Sequence, residues 1–273
     1  VGAPKSGTTS LHFYLQQHPD VCMSEIKEPN YFTAKEVVKL YYDVSPVNSE
    51  DWYHSIFTKP TSSVVGEGSV SYLFYPEVAQ KIYKYNPKAR IIIILRNPVQ
   101  RAFSHYLMDC RLGLCDISLD EILENPSKYP LFYQQFIELG MYHQQIKRYI
   151  DVFGQSQVKV MFYDDLKTDV NLFIDQVFSF LDLTSIDVNM VVKNKFKQPS
   201  ITIVSKLYQF KWLRTYLNIF FPKRLLILIK SVLFNDSKKP TLDPSIKRKL
   251  YDIYKKDVAE LSKLLSKDLS IWE

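Results

Sequence analysis

The chain of 273 residues contains little glycine and is instead rich in aromatic residues. It has 7 glycines against 14 prolines, 17 phenylalanines and 19 tyrosines, a composition that excludes a disordered or low-complexity protein. Apolar residues make up 46% of the chain, which is enough to build a large core at this length. No internal repeat or Gly/Ser-rich linker divides the sequence, so we expect a single domain over residues 1–273.

Cysteine is scarce as well. The three cysteines, Cys22, Cys110 and Cys115, are an odd number without a framework of spacings, and this excludes a disulfide scaffold. The Cys-x4-Cys spacing has no companion ligands, so we expect no metal site. Unpaired cysteines favour a reducing compartment, which predicts a cytoplasmic protein. Because Val1 already lies in a predicted strand, removal of a leader or anchor before it stays an open alternative.

Long hydrophobic runs are also missing. The longest runs, at 91–95 and 225–229, are far shorter than the roughly 18 residues that cross a bilayer. In the segment 217–234 apolar residues alternate with Lys223, Arg224 and Lys230. This pattern predicts either a peripheral membrane contact or an amphipathic helix that faces the core.

The charge balance has no strong excess of either sign. Lys and Arg number 35 and Asp and Glu 29, a net charge of +6, which favours anionic ligands without identifying them. Basic residues cluster only at 247–249. We therefore expect no nucleic acid partner.

Predicted strands and helices alternate along the chain, as is typical of a parallel sheet covered by helices. Apolar runs predict strands at 1–2, 64–66, 91–95 and 158–162. Helical spacing of apolar residues predicts helices at 76–85, 99–110 and 141–153, with Gly154 ending the last. Asp169 is a predicted N-cap for a helix at 170–181. After about residue 183 we expect a helical, Lys-rich part that packs at one edge of the sheet.

The first predicted strand leads into a helix through a segment suited to anion binding. Helix N-terminal amides attract phosphate, Lys5 adds positive charge, and the following hydroxyls add donors. The predicted binding residues here are Lys5, Ser6, Gly7, Thr8, Thr9 and Ser10. Gly2 and Gly7 have the Walker A spacing, but Thr8 replaces its lysine, which disfavours a nucleotide triphosphatase. The alternative is an ordinary Ser/Thr-rich helix start.

A second candidate phosphate site follows the apolar strand at 91–95. Arg96 lies at the predicted strand end, Pro98 at the predicted helix start, and Ser104 eight positions after Arg96. Arginine provides a forked and permanently charged phosphate partner, and serine provides a short donor. The alternative is a surface arginine beside a serine on an exposed helix face.

Two further segments belong to the same pattern. Ser237-Lys238-Lys239-Pro240 precedes a predicted helix at 246–265, and Lys27-Glu28-Pro29-Asn30-Tyr31-Phe32 lies early in the chain. Taken alone, the first is a solvated lysine pair before a helix cap. The second is a surface acid that pairs with Lys27 or caps a turn.

In their order along the chain these segments resemble the sulfotransferases that use 3′-phosphoadenylyl sulfate (PAPS). The 5–11 segment is similar to the family's 5′-phosphosulfate loop, and 96–106 is similar to its 3′-phosphate motif R-x-P-x-x-R-x-x-S-x-Y. The 27–32 segment is similar to K-E-x-x-F-F of the heparan sulfate type enzymes and their bacterial relatives. This resemblance implies an α/β, three-layer P-loop-like fold with a central parallel sheet flanked by helices.

The resemblance also implies a reaction and its ligands. PAPS is the sulfuryl donor, 3′,5′-ADP is the product, and no metal is needed. The implied nucleotide-binding residues are Lys5, Ser6, Gly7, Thr8, Thr9, Ser10, Arg96, Ser104, Lys238 and Lys239. This chain departs from the glycosaminoglycan enzymes because it lacks Gly-Arg after the lysines, lacks the cysteine pair around that loop, and has Gly68 where they have a lysine.

Glu28 is the implied catalytic base, and Lys5 the implied partner of the charge that develops on the departing nucleotide. His54 and His105 are the alternative bases, although the motif of the cytosolic, small-acceptor enzymes does not match around either. We expect a carbohydrate acceptor, with a lipid or a small hydroxylated metabolite second. Aromatic residues that could stack on sugar rings or simply fill a core are Tyr31, Phe32, Tyr41, Tyr42, Trp52, Tyr53 and Tyr72. A P-loop kinase and a noncatalytic nucleotide-binding domain remain the alternatives of another class.

Overall fold

The computed structural model describes residues 1–59, 61–189 and 240–272, and the backbone of two short strands between the last two ranges. The described strands are β1 (Val21–Met23), β2 (Val64–Gly66), β3 (Ile91–Leu95), β4 (Val158–Phe162), β5 (Gln198–Pro199) and β6 (Phe234–Asn235). The described α-helices are α1 (Thr8–Leu15), α2 (Ala34–Val37), α3 (Glu50–Ser55), α4 (Val78–Tyr85), α5 (Pro98–Leu112), α6 (Leu119–Glu124), α7 (Pro130–Phe136), α8 (Tyr142–Phe153), α9 (Tyr163–Thr168), α10 (Val170–Phe180) and α11 (Pro244–Leu265).

The long strands are parallel, as their apolar composition predicts. β3 pairs with β4 from Ile91 opposite Val158 to Leu95 opposite Phe162. Gly2 forms a parallel bridge to the other side of β3, where the amide of Ala3 donates to the carbonyl of Ile94 over 2.8 Å. β1 and β2 form a second parallel pair, and β5 and β6 pair antiparallel. The predicted strands at 64–66, 91–95 and 158–162 are confirmed. At the predicted first strand, Gly2 forms only an isolated bridge, and the three-residue strand β1 was not predicted.

β3 lies between two apolar layers, which explains its five consecutive apolar residues. Ile91, Ile93 and Leu95 belong to one core cluster, together with side chains from α4, α5, α8 and α11. Ile94 belongs to a second cluster with side chains from α1 and α10. Because alternate strand residues point to opposite faces, helices cover the sheet on both sides. This confirms the expected three-layer α/β fold.

Helix boundaries agree with their predicted caps. Asp169 accepts a hydrogen bond from the Leu172 amide over 3.0 Å and starts α10. Gly154 ends α8 with φ 78°, a conformation that glycine adopts at low cost. Pro98 stands in the first turn of α5, where its missing N–H is not needed. The helix predicted at 76–85 begins two residues later, at Val78.

The expectation of helical structure directly after residue 183 is wrong for 183–189, which contain no helix. Helix resumes in the described residues with α11, where Asp243 is the N-cap and accepts from the amides of Ser245 and Ile246. Lys238, Lys239 and residues 217–233 lie outside the described residues, so the predicted phosphate contacts and membrane contact there stay predictions. Within the described part of the chain, no helix combines the length and apolar character that crossing a membrane requires.

Candidate active site

The phosphate loop lies where the strand at Gly2 ends and α1 begins, as predicted. Gly7 has φ 90° and stands before α1, whose first turn has neither a side-chain cap nor an acidic residue. A Cβ atom on Gly7 would come within 2.7 Å of Leu166 and 3.1 Å of Tyr163, so a larger residue does not fit. The open helix N-terminus therefore offers amides to an anion, and glycine lets the backbone lie close to α9.

Arg96 follows β3 directly and extends beside the phosphate loop. One of its terminal nitrogens donates to the Lys5 carbonyl over 3.1 Å, and the guanidinium carbon lies 4.7 Å from the centre of the Tyr163 ring. Its Nε atom is buried and has no hydrogen-bond partner among the described residues. Burial lowers the pKa of Arg96 from its usual value. A buried donor without a partner among the described residues is a position at which an anionic group could bind.

One cavity of about 840 Å³ joins these elements, a size that suits a bound nucleotide-sized ligand. Of the predicted binding and catalytic residues and alternative bases, those that line it are Lys5, Gly7, Thr8, Thr9, Ser10, Glu28, Arg96, Ser104 and His105. Ser6 does not line it, because its side chain is fully buried, and its hydroxyl has no partner among the described residues. Lys238 and Lys239 lie outside the described residues. Separate segments of the sequence thus converge at the carboxyl ends of parallel strands, where ligands bind in open α/β sheets.

Glu28 lies on a short irregular loop at this cavity. Its backbone is in the left-handed region with φ 60°, and so is that of Asn30 with φ 53°. The Asn30 side chain donates to the Glu28 carbonyl over 2.8 Å and accepts from the Ser71 hydroxyl over 2.7 Å. The Glu28 carboxylate contacts the Lys27 ammonium, so the predicted ion pair is present as well. Backbone strain that the surrounding hydrogen bonds hold in place is typical of functional sites.

A buried hydrogen-bonded network includes His105, which lines the cavity together with Tyr42. Arg101, fully buried, donates to Nδ1 of His105 over 3.4 Å. Nε2 of His105 lies 2.8 Å from the Tyr42 hydroxyl, which in turn donates to Asp109 over 2.8 Å. The Tyr41 hydroxyl donates to the same Asp109 oxygen over 2.6 Å. Because Tyr42 donates to Asp109, the short contact of Tyr42 with Nε2 fits a neutral His105 ring that carries its proton there.

Two features of this hydrogen-bonded network keep the His105 ring neutral. Burial and then the Arg101 guanidinium lower its pKa well below the usual value. Burial also raises the pKa of Asp109 to about 6, although hydrogen bonds from the two tyrosines and the charge of Lys5 act in the opposite direction. Both ring nitrogens of His105 lie within hydrogen-bond distance of protein groups. This disfavours His105 as the base and agrees with a packing role beside Ser104.

Comparison with known proteins agrees with this geometry. The family profile described as the sulfotransferase domain matches residues 1–262. This chain belongs to the sulfotransferase family. The crystal structure of a sulfotransferase from Alicyclobacillus acidocaldarius is 30% identical, with a TM-score of 0.74 over 100% of this chain and 96% of that one. A mouse sulfotransferase solved with PAP shares the fold at 15% identity, with a TM-score of 0.51 over 96% and 84% of the two chains.

A curated relative extends the comparison to glycan enzymes. A bifunctional heparan sulfate N-deacetylase/N-sulfotransferase of Caenorhabditis briggsae is 26% identical over 194 residues, 67% of this chain. The chain spans 22% of the length of that relative. The predicted sulfotransferase family and its transferase class of the EC 2.8.2 type are therefore confirmed.

The sulfotransferase fold separates His54 from the phosphate loop cavity. His54 lines a larger, neighbouring cavity of about 1190 Å³, and its Nε2 atom lies 2.6 Å from the Tyr85 hydroxyl. Most of the aromatic residues considered for sugar stacking pack on one another instead. Tyr31 stacks on Tyr53 with ring centres 4.3 Å apart, and Phe32 meets Tyr53, Tyr72 and Tyr85 edge-on. Among the seven aromatic residues considered for sugar stacking, only Tyr42 lines the phosphate loop cavity.

Sequence reasoning missed several residues of the cavity. Tyr163 stacks on Arg96 and directly follows β4, so its position at the carboxyl end of a parallel strand was a signal that could have identified it. Ser71 and Tyr75 line the cavity from the segment after β2, and Arg111 lines it from the end of α5. These three have no sequence motif, since only the packing of distant segments brings them to the site.

Proposed function

We propose that this sulfotransferase domain moves a sulfuryl group from PAPS to a hydroxyl or amine of a carbohydrate acceptor. The observation that carries the proposal is the single cavity lined by Glu28, the phosphate loop, Arg96 and Ser104. The heparan sulfate relative supports a carbohydrate acceptor. The mouse protein of the same fold was solved with PAP, which agrees with the choice of nucleotide.

The nucleotide is held at two places. The amides at the start of α1, the hydroxyls of Thr8, Thr9 and Ser10, and the Lys5 ammonium bind the 5′-phosphosulfate. Arg96 and Ser104 bind the 3′-phosphate, because the unpartnered Nε of Arg96 supplies a further donor to an anion. Lys238 and Lys239 remain predicted contacts of the same nucleotide.

The transfer is an in-line displacement at sulfur. Bound PAPS supplies the sulfuryl group and leaves as 3′,5′-ADP. The acceptor oxygen or nitrogen forms a bond to sulfur while the bond from sulfur to the phosphate oxygen breaks, and the acceptor proton passes to the carboxylate of Glu28. Lys5 neutralises the negative charge that grows on the departing phosphate oxygen. Positioning and charge stabilisation thus supply most of the rate enhancement, as in phosphoryl transfer.

The test is direct transfer. The protein is incubated with PAPS and a panel of polysaccharides, lipids and small hydroxylated metabolites, and mass spectrometry measures the added sulfuryl group alongside release of 3′,5′-ADP. We expect sulfated carbohydrate and a matching amount of 3′,5′-ADP. Sulfation of a lipid or metabolite in place of carbohydrate would correct the acceptor class. Absence of transfer to every acceptor would contradict the proposed activity.

A thermal shift measurement separates the kinase and noncatalytic alternatives. We expect 3′,5′-ADP at about 100 times its dissociation constant to stabilise the fold by about 2.7 kcal/mol without magnesium. A kinase would instead respond to ATP with magnesium. A domain that binds 3′,5′-ADP but releases none from PAPS would be noncatalytic.

A further inference from the structure

The backbone of Arg96 leaves the parallel sheet at the end of the strand ladder. Leu95 is the last residue of β3 and lies opposite Phe162, so the carbonyl of Arg96 lies beyond the ladder and needs another partner. The hydroxyl of Tyr142, a fully buried residue at the start of α8, donates to this carbonyl over 3.0 Å. A side chain from another element thus fixes the point from which the Arg96 guanidinium extends.

Asn97, the next residue, uses both polar atoms of its side chain. Its Oδ1 atom accepts from the amide of Gln100 over 3.1 Å and makes Asn97 the N-cap of α5. Its Nδ2 atom donates to the carbonyl of Trp272 over 3.2 Å. Asn97 is buried, so loss of either partner leaves a polar atom unsatisfied. The turn at Ser270–Trp272 is thereby joined to the first turn of the helix that carries Ser104.

The indole ring of Trp272 packs beside the same segment. Its centre lies 6.3 Å from that of Tyr142 and 5.8 Å from that of Phe162, edge-on to both rings. Trp272 is 4% exposed and is not among the described residues that line the phosphate loop cavity. Its ring therefore contacts the residue that holds the Arg96 carbonyl, and its own carbonyl holds the residue that follows Arg96.

The helix before this turn supports the Arg96 segment at a second point. Asp257 on α11 accepts from the amides of Tyr142 over 2.7 Å and His143 over 3.2 Å, which are donors at the start of α8 without a partner inside that helix. Leu269, 2% exposed, holds the turn after α11 in the core. The position of Tyr142 is thus fixed from α11 as well as from Trp272.

We propose that Trp272 is a positioning residue for the nucleotide, because it holds Tyr142 and Asn97 and so sets the direction in which Arg96 presents its guanidinium. This inference rests on the proposed contact of Arg96 with the 3′-phosphate and adds the element that orients it. A guanidinium binds phosphate strongly only when its planar donors are aligned with the oxygens. A shift of the backbone at Arg96 therefore weakens the 3′-phosphate contact and leaves the 5′-phosphate contacts at α1 in place.

The test measures the ratio of the dissociation constants of 5′-AMP and 3′,5′-ADP, by titration below the melting temperature of each variant. We expect Trp272→Ala to reduce the preference for 3′,5′-ADP about fivefold or more, and Trp272→Phe to retain most of it, because a phenyl ring still packs between Tyr142 and Phe162. Asn97→Ser keeps an N-cap oxygen but is too short to hold the Trp272 carbonyl, and we expect a similar reduction. A purely structural loss would weaken both nucleotides together and leave the ratio unchanged.

Two matched controls carry the same changes elsewhere. Trp52, 39% exposed on α3, is changed to Ala, and Asn125, exposed directly after α6, is changed to Ser. Both variants should keep the native ratio. A second measurement repeats Trp272→Ala and Asn97→Ser in the Arg96→Ala background. There the ratio should change no further, because the guanidinium through which both residues act is gone.

The outcomes separate this inference from the proposed function. An unchanged ratio in Trp272→Ala, together with a collapsed ratio in Arg96→Ala, would overturn the inference and leave the proposed nucleotide site standing. If Trp272→Ala does not fold at the titration temperature, Asn97→Ser decides in its place. A further reduction in the Arg96→Ala background would also overturn the inference, since the effect would not pass through Arg96. A native ratio that Arg96→Ala leaves intact would contradict the proposed 3′-phosphate site and the inference with it.

Discussion

The two walls of the phosphate loop cavity are built in different ways. The proposed nucleotide wall consists of the phosphate loop, Arg96 and Tyr163, which follow the bridge at Gly2 and the strands β3 and β4 of the parallel sheet. The proposed acceptor wall consists of irregular segments around Glu28 and Tyr42. The first wall therefore takes its geometry from the sheet, whereas the second depends on side-chain hydrogen bonds to distant parts of the chain.

The hydrogen bonds that hold these irregular segments join residues far apart in the sequence. Tyr41 and Tyr42 reach Asp109 across 68 and 67 residues of sequence, and Asn30 reaches Ser71 across 41. Each bond joins a loop without regular structure to an element that packs on the core. Loops held in this way can vary without disturbing the strand ends that position the phosphate loop and Arg96.

The largest expected effect comes from the acceptor wall. Glu28→Gln keeps the shape of the side chain but cannot take the acceptor proton, so we expect turnover to fall by about a hundredfold or more. Affinity for 3′,5′-ADP should hold, because the nucleotide wall is intact. Steady-state kinetics and nucleotide titration measure the two quantities separately.

The matched control for this substitution is Glu25→Gln, an exposed acid three residues earlier, which should leave turnover unchanged. His54→Ala and His105→Ala test the alternative bases. Full turnover in Glu28→Gln together with a loss in either histidine variant would move the base to that histidine. It would also favour the small-acceptor branch of the family as the better comparison.

The next effect concerns the anchor of the acceptor wall. Burial raises the pKa of Asp109 from 3.8 to about 6, so its contribution to stability is fully present below about pH 4 and is lost as the pH rises through 6. Asp109→Asn removes this titration. At about 1.4 kcal/mol per pKa unit, the variant should gain about 3 kcal/mol relative to the native chain between pH 4 and pH 8.

Urea unfolding at several pH values measures this difference, and Asp116→Asn is the control because Asp116 is exposed on the loop after α5. The lowered pKa of His105 gives a dependence of opposite sign. That dependence is common to both proteins and cancels in the difference to a first approximation. Parallel stability profiles of Asp109→Asn and the native chain would show that Asp109 does not titrate in this range.

The smallest effect tests the nucleotide wall. Arg96→Ala should weaken binding of 3′,5′-ADP by about 1.5 to 3 kcal/mol more than binding of 5′-AMP, because only the first carries a 3′-phosphate, so the preference for 3′,5′-ADP should collapse. Titration of 3′,5′-ADP and of 5′-AMP into the variant and the native protein measures this preference. Arg90→Ala is a matched control. Arg90 directly precedes β3, at the end of the strand opposite to Arg96, and forms an ion pair with Asp182. A retained preference in Arg96→Ala would place the 3′-phosphate elsewhere.

The two walls also differ in how far their residues could be predicted from the sequence. The phosphate loop, Arg96 and Ser104 were predicted because each belongs to a short motif at a strand end or on the following helix. Glu28 was predicted through its resemblance to a family motif, but its contacts with Lys27 and with the 68–71 segment were only partly foreseen. The short helices α3, α6, α7 and α9 were missed, since six or seven residues show no reliable helical period.

Local sequence accounts for the parallel strands, the helices that follow them and the anion-binding loop before α1. These depend on interactions within a few residues: apolar runs, caps such as Asp169, and a glycine at the one loop position where φ is 90° and α9 lies within contact. The tertiary fold alone brings Tyr41 and Tyr42 to Asp109, buries His105, and places Arg111 at the cavity. Those contacts join residues far apart in the chain, and no local pattern records them because burial and the pairing of distant polar groups fix their energies.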